Sequence, residues 1–186
     1  YPFMKNEEKL ALIERFKQHA GVKEILLSDV GYMQGMSGNG LTTEKGNENS
    51  WIDISVMAVP ANFFSFMNIP IEQGRLPQTE KDIVVDNVWQ EMQKKDVIGM
   101  NLYSGNTDYT ICGISAPFQA NVYNRSSGYA FLPYDPSVYI GHCYIKSHPG
   151  QQKEVARWIE KVYREMLPEN ITYQAKTFLD DIHVLQ

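Results

Sequence analysis

With 186 residues, 43% apolar and 12% aromatic, the chain has enough apolar surface to bury a core as one domain or two interleaved small ones, and its well-mixed charges exclude long disorder. A formal charge of -5 without any Lys/Arg cluster excludes a phosphate-binding surface, because nucleic-acid affinity needs several basic groups gathered on one face. No stretch approaches the ~18 consecutive apolar residues of a bilayer crossing, and no basic segment followed by an apolar core opens the chain.

The first residue is Tyr1 in place of an initiator methionine, which reads as a processed chain or a fragment. Asn6, followed by Glu7 and Glu8, suits a helix start, since an Asn side chain accepts from a free amide and the acids complement the positive helix end. Leu10, Ile13, Phe16 and Ala20 recur at helical spacing, which predicts a helix from Glu7 to Ala20 with Gly21 as a left-handed stop. Val22 to Ser28 reads as a strand. From Gly31 to Ser50 the composition turns to Gly, Asn, Ser and Thr, the mark of a long loop.

Trp51 to Val59 alternates Ile52, Ile54 and Val56 with Asp53 and Ser55, as a strand with one wet face does. Pro60 to Met67 predicts a short helix that buries Phe63, Phe64 and Phe66 and stops before Ile69-Pro70, because a residue preceding proline avoids helical angles. A Gly74-Arg75 corner and a polar loop lead to the strand Ile83 to Val85. Asp86 then caps a helix carrying Val88, Trp89 and Met92. Further strands are predicted at Tyr109 to Ser115, Gly128 to Leu132 and His142 to Ser147. Pro149 suits a first helical turn, and Val155, Trp158, Ile159, Val162 and Met166 form the apolar stripe of the longest helix, closed by Pro168. Ile171 to Thr177 reads as a late strand and Phe178 to Leu185 as a last helix. The plan is α+β.

Little in this pattern points to catalysis. The run Gly35-Met36-Ser37-Gly38-Asn39-Gly40 continues into loop instead of a helix, so it lacks the context of a phosphate loop, and Ser37 misses the spacing of a nucleophile elbow. A hydrolase built on Ser37 is the weakest reading. His19, His142, His148 and His183 have no i, i+4 pairing and no partner at metal-site spacing, so no metal or other cofactor is expected. Neighbouring acids at Glu7/Glu8 and Asp180/Asp181 diverge on a helix and form no acid/base dyad. Cys112 and Cys143 fall in apolar runs and read as buried free thiols, with a disulfide between them as the minor alternative. After Gly74, which supplies a special backbone angle, the Arg75 guanidinium reads as a brace for the loop at Glu80 or Asp82. Tyr123, Tyr129, Tyr134 and Tyr139 lie in or near loops and are candidates either for a partner surface or for a core beneath those loops.

The order of these features is similar to that of one family. Asn62-Phe63-Phe64 before Ile69-Pro70 and then Gly74-Arg75 resembles the MacB-like periplasmic core domain, the extracytoplasmic insert of FtsX-like ABC transporter permeases. Ile83-Val84-Val85-Asp86-Asn87, a short helix, Ile98-Gly99-Met100 and Tyr109-Thr110-Ile111-Cys112-Gly113-Ile114 resemble its second block, with Met100 where lysine is common and Cys112-Gly113-Ile114 in place of Val-Gly-Val. The likeness spans Trp51 to Pro136 by motif and the remainder by topology. It implies that Phe63, Phe64, Gly74, Arg75, Gly99 and Gly113 are structural motif positions. It also implies a porter-like subdomain of βαβ units at 1–81 and 137–186, with a smaller strand-rich subdomain inserted at 82–136.

By that resemblance the domain is non-catalytic and sits outside the membrane of an inner-membrane protein. A cytoplasmic ATPase, coupled through flanking membrane helices, drives movement that engages a partner or substrate. A periplasmic adaptor or lipoprotein is a candidate partner, and a dimer is the candidate assembly. The two subdomains are expected to move as rigid bodies about the crossings near Asp82 and Pro136. The alternative function is a periplasmic small-molecule-binding domain with the Tyr/Phe-rich region as pocket wall.

Overall fold

A computed structural model describes residues 4–29, 31, 40–118 and 127–167. In chain order these form α1 (Asn6–Lys17), β1 (Val22–Ser28), β2 (Ser55–Val59), α2 (Phe63–Met67), β3 (Ile71–Gly74), β4 (Asp82–Asp86), α3 (Asn87–Gln93), β5 (Asn101–Ser104), β6 (Thr107–Ser115), β7 (Tyr129–Pro133), β8 (His142–Ser147) and α4 (Gln152–Met166). The mixture of helices and strands is the α+β class read from the sequence. Two compact units result: the described residues up to Leu26 together with those from Cys143, and those from Leu27 to His142.

The larger unit is built on a six-stranded mixed sheet in the order β2-β7-β4-β6-β3, with β5 also on β6. Every residue of β4 is buried. Ile83-Val84-Val85 is therefore an unbroken apolar run, as expected of a strand covered on both faces. β4 runs parallel to β6, with Asp82 opposite Thr110 and Asp86 opposite Ser115, and antiparallel to β7, with Val84 opposite Phe131. β7 is parallel to β2 from Ser55↔Tyr129 to Val59↔Pro133. The first half of β6 closes a hairpin with β5 through Gly105, whose φ of 57° is left-handed.

Alternation along β7 divides its side chains between two apolar layers. On one side Ala130 and Leu132 join Ile83, Val85, Ile111 and Trp89 of α3. On the other, Phe131 meets the rings of Phe63 and Phe64 at 5.4 and 5.3 Å and that of Phe118 at 5.8 Å. The short helix α2 delivers these phenylalanines and is closed by Asn68, left-handed at φ 56°, before Ile69-Pro70. At the start of α3, Asp86 accepts the Trp89 N–H at 3.0 Å, so its side chain is the cap.

In the smaller unit β1 pairs with β8. α1 and α4 contribute the buried Leu12, Ile13, Phe16, Val155 and Val162, and the Phe16 and Tyr163 rings lie 5.5 Å apart. The Arg15–Glu165 pair at 3.3 Å is exposed and contributes little beside that apolar packing.

Several expectations are corrected. Lys5 precedes the first turn of α1 and its N–H is taken by the Glu8 carboxylate at 2.9 Å, so the acid three positions on, not Asn6, satisfies the helix start. α1 ends at Lys17, and Gly21 is not left-handed. What excludes a side chain at Gly21 is crowding, since a Cβ there would lie 2.4 Å from the Gln151 amide and 2.9 Å from Val155. α4 starts at Gln152, three residues after Pro149, and Met166 is exposed. β2 begins only at Ser55, while Trp51 makes an isolated bridge to Thr42 and is exposed. β3 and β5 are strands that the sequence pattern does not predict. Both cysteines are free, but Cys143 is exposed and only Cys112 is buried. Apart from these corrections, the chain passes between its compact units at 26/27 and 142/143. Pro168, the strand Ile171 to Thr177 and the helix Phe178 to Leu185 lie outside the described residues.

Phe131 has no exposed surface and packs against four other rings. Phe131→Ala is expected to lower stability by about 3–5 kcal/mol through lost burial and the cavity left behind, read as a lower urea midpoint with an unchanged slope.

Candidate functional site

The motif positions converge on one corner of the larger unit. β3 ends at Gly74, with φ 73°, where it lies against β6 with Gly74 opposite Gly113. The approach is very close: a Cβ on Gly74 would sit 2.3 Å from the Cys112 carbonyl oxygen, and one on Gly113 would sit 2.4 Å from that of Arg75. Two glycines facing one another let the backbones meet. The Arg75 N–H then donates to the Cys112 carbonyl at 3.0 Å, and the Cys112 thiol donates to the Arg75 carbonyl at 3.4 Å.

From this fixed backbone the Arg75 side chain reaches Asp82 as a two-pronged pair, Nη1 to Oδ2 at 2.8 Å and Nη2 to Oδ1 at 3.1 Å. Asp82, not Glu80, is the partner. Its carboxylate is buried, and Oδ2 also accepts the N–H groups of Gln78 at 2.9 Å and Thr79 at 3.0 Å. The loop between β3 and β4 is thus wound around one anion. The Arg75 hydrogen bonds hold the Asp82 carboxyl well below the usual carboxylate range, against the opposing effect of burial and with help from the two N–H groups. In return, hydrogen bonding to Asp82 raises Arg75.

The remaining positions take other places. Gly99, at φ 82°, turns the chain after α3 and donates its N–H to the Ile111 carbonyl at 2.8 Å; space is open around it, so the backbone angle is what requires glycine. Phe63 and Phe64 lie in the aromatic layer on Phe131. Tyr129 is buried with its ring stacked on Phe131, which removes it from the candidate partner surface. Tyr134 is half-buried and donates its hydroxyl to the carbonyl of Tyr139, whose own side chain is exposed. Tyr123 and Ser37 lie outside the described residues.

Beside the Arg75–Asp82 corner a cleft of about 220 Å³ opens between the loop at Pro77 to Glu80 and the segment Leu132 to Tyr134, floored by Val59 and Phe64. Sequence reading missed it, because its walls come from three remote segments. The ionisable groups around the larger unit's core have structural duties. The Cys112 thiol is pushed up by burial, away from the thiolate form a nucleophile needs. Asp86 is pushed up by burial, which outweighs the N–H groups of Trp89, Tyr129 and Phe118. Among the described residues no group of three or more His, Cys, Asp or Glu is placed to hold a metal ion, and no helix is long and apolar enough to cross a membrane.

No protein-family model and no curated protein matches the sequence. Solved structures do match in fold. The periplasmic region of MacB from Actinobacillus actinomycetemcomitans aligns with a TM-score of 0.59 at 14% identity, covering 84% of this chain and 73% of that one. The extracellular domain of the noncanonic ABC-type transporter YknZ from Gram-positive bacteria gives 0.59 at 10% identity, covering 83% and 82%. A domain of a putative permease protein from Porphyromonas gingivalis gives 0.58 at 12% identity, covering 91% and 86%. The chain has the fold of the MacB-like periplasmic domain.

Because the folded Asp82 carboxyl lies below its unfolded value, its contribution is fully present above the unfolded value of about 4 and is lost progressively as pH falls through and below it. Asp82→Asn is expected to cost about 2–3 kcal/mol at pH 7 and to flatten the fall in stability on acidification, measured by urea unfolding at stepped pH. Asp86→Asn, which keeps the cap acceptor and removes a buried charge, is expected to be tolerated better at pH 7 than Asp86→Ala, which loses about 1 kcal/mol with the cap.

Proposed function

We propose that this chain is the extracytoplasmic domain of an ABC transporter permease, a non-catalytic body that couples ATP hydrolysis by a separate cytoplasmic ATPase to movement and to engagement of a partner or substrate outside the membrane. One observation supports the reading above others: three domains described as periplasmic, extracellular or permease parts share this fold over most of their own length and most of this chain.

The site supports the same reading. Arg75 spends its donors on Asp82, Cys112 is held away from its reactive form, and Asp86 caps a helix, so the unusual groups of the larger unit stabilise a rigid body. A domain that transmits displacement needs stiffness at its core, and buried cores transmit strain. The adaptor or lipoprotein partner and the dimeric assembly belong to this proposal, as does a porter-like subdomain bearing a strand-rich insert.

Apolar spans of ~20 residues encoded on both sides of this segment are the expected genomic context. In the full transporter reconstituted in bilayer discs, a spin label at Val138, a highly exposed apolar residue of the larger unit, is expected to change its distance from a label in the membrane helices between nucleotide-free and ATP-bound states. Unchanged distances through the cycle would remove the coupling role.

A further inference from the structure

The cleft beside the Arg75–Asp82 corner has a composition that selects a ligand. Its floor and back are apolar and aromatic, with Val59, Phe64 and Leu132 each buried and Phe131 closing the bottom. Pro60, Pro77 and Pro133 stiffen the rim. Its walls are already fixed: the Gln78 and Thr79 N–H groups are tied to Asp82, the Tyr134 N–H donates to the Val59 carbonyl at 3.0 Å, and the Tyr134 hydroxyl is tied to Tyr139. Binding there would order little that is not ordered already.

Among the side chains that line the cleft, charge has one sign. Glu80 is the single charged side chain lining it, is exposed, and makes no ion pair with any described residue. On the opposite wall the Tyr134 hydroxyl is pushed up to about 12, first by burial and then by the negative charge of Asp29, with Tyr139 and Asp135 adding to it. The basic groups nearest along the loop are committed, Arg75 to Asp82 and Lys81 to Asp108 at 3.8 Å.

We propose that this cleft is a binding site for a small organic cation, an ammonium group carried on a compact apolar or aromatic body. The apolar body fills the space over Phe64 and Leu132, and the ammonium lies between Glu80 and the face of Tyr134, where a carboxylate and an aromatic ring both attract it. A cavity of about 150 Å³ holds a benzene molecule, so 220 Å³ suits a body of about eight to ten non-hydrogen atoms. The proposal stands apart from the permease reading, because the site lies wholly within the larger unit and its test needs neither membrane nor ATPase.

Three probes of closely similar size and different charge test it on this chain: phenethylammonium, 2-phenylethanol and phenylacetate, titrated into isotope-labelled protein and followed by backbone amide shifts. The ammonium is expected to bind about threefold to fivefold more tightly than the alcohol, in keeping with a partly exposed charge pair, and the carboxylate more weakly than both. Shifts are expected at Ala61, Thr79, Leu132 and Tyr134. Glu80→Gln is expected to abolish the preference for the ammonium and leave binding of the alcohol in place. Ala61→Phe, which narrows the cleft from its exposed rim, is expected to weaken all three. Equal binding of the three probes, no binding, or shifts confined to other surfaces would each overturn the proposal, and an unchanged preference in the Glu80→Gln variant would do so even if the shifts map to the cleft.

Discussion

The larger unit depends on two backbones being allowed to approach one another. Where β3 ends, Gly74 and Gly113 face each other with no room for a Cβ on either. That contact places Arg75 so that its fork meets Asp82, and Asp82 in turn gathers two N–H groups of the loop that leads into β4. β4 is the strand on which the rest of the sheet is assembled, parallel to β6 on one side and antiparallel to β7 on the other. A buried anion is costly unless paired and hydrogen-bonded. Here its four acceptor contacts offset that cost and define one loop conformation.

The same unit holds a second buried carboxylate with the opposite tendency. Asp82 is stabilised as an anion by a cation, whereas Asp86, four residues on at the other end of β4, is held by backbone N–H groups alone and burial dominates. Their responses to acid therefore oppose each other: protonation removes a favourable pair at Asp82 and relieves an unfavourable burial at Asp86. A strand that is apolar in the middle and acidic at both buried ends thus has its ends tied by different means, an ion pair at one and a helix cap at the other.

How much of this was legible follows from how local each cause is. The aromatic helix α2, its stop before Ile69-Pro70, the Asp86 cap and the apolar run of β4 are set by neighbours a few residues apart, and the sequence pattern placed each of them. The Gly74-Arg75 corner was visible as a constraint, but choosing Asp82 over Glu80 needed the knowledge that β4 carries Asp82 into the interior. β3 and β5 are not legible locally because each is only four residues long and becomes a strand by pairing with β6, to which β5 adds a bridge from Tyr103 to the remote Thr42. Gly21 is a related case, since what it makes room for lies at the start of α4, far along the chain. Tyr129 shows the limit of composition, since an aromatic beside a loop can face inward as readily as outward, and here it stacks on Phe131. The cleft could not be foreseen from any one of its three contributing segments.

The parallel pairing of β2 with β7 has a consequence for how the protein comes into being. Ser55 to Val59 finds its hydrogen-bonding neighbour only after Tyr129 to Pro133 exists, with four other strands intervening. Closing so wide a loop is entropically expensive before any contact rewards it, and topologies rich in such remote pairs fold slowly. On a ribosome the hairpin β5–β6 and then β4 can assemble while β2 and the phenylalanines of α2 wait, their apolar surfaces uncovered, for the seventh strand to emerge. The interval between synthesis of these two segments is the period in which a nascent chain of this design most needs a chaperone.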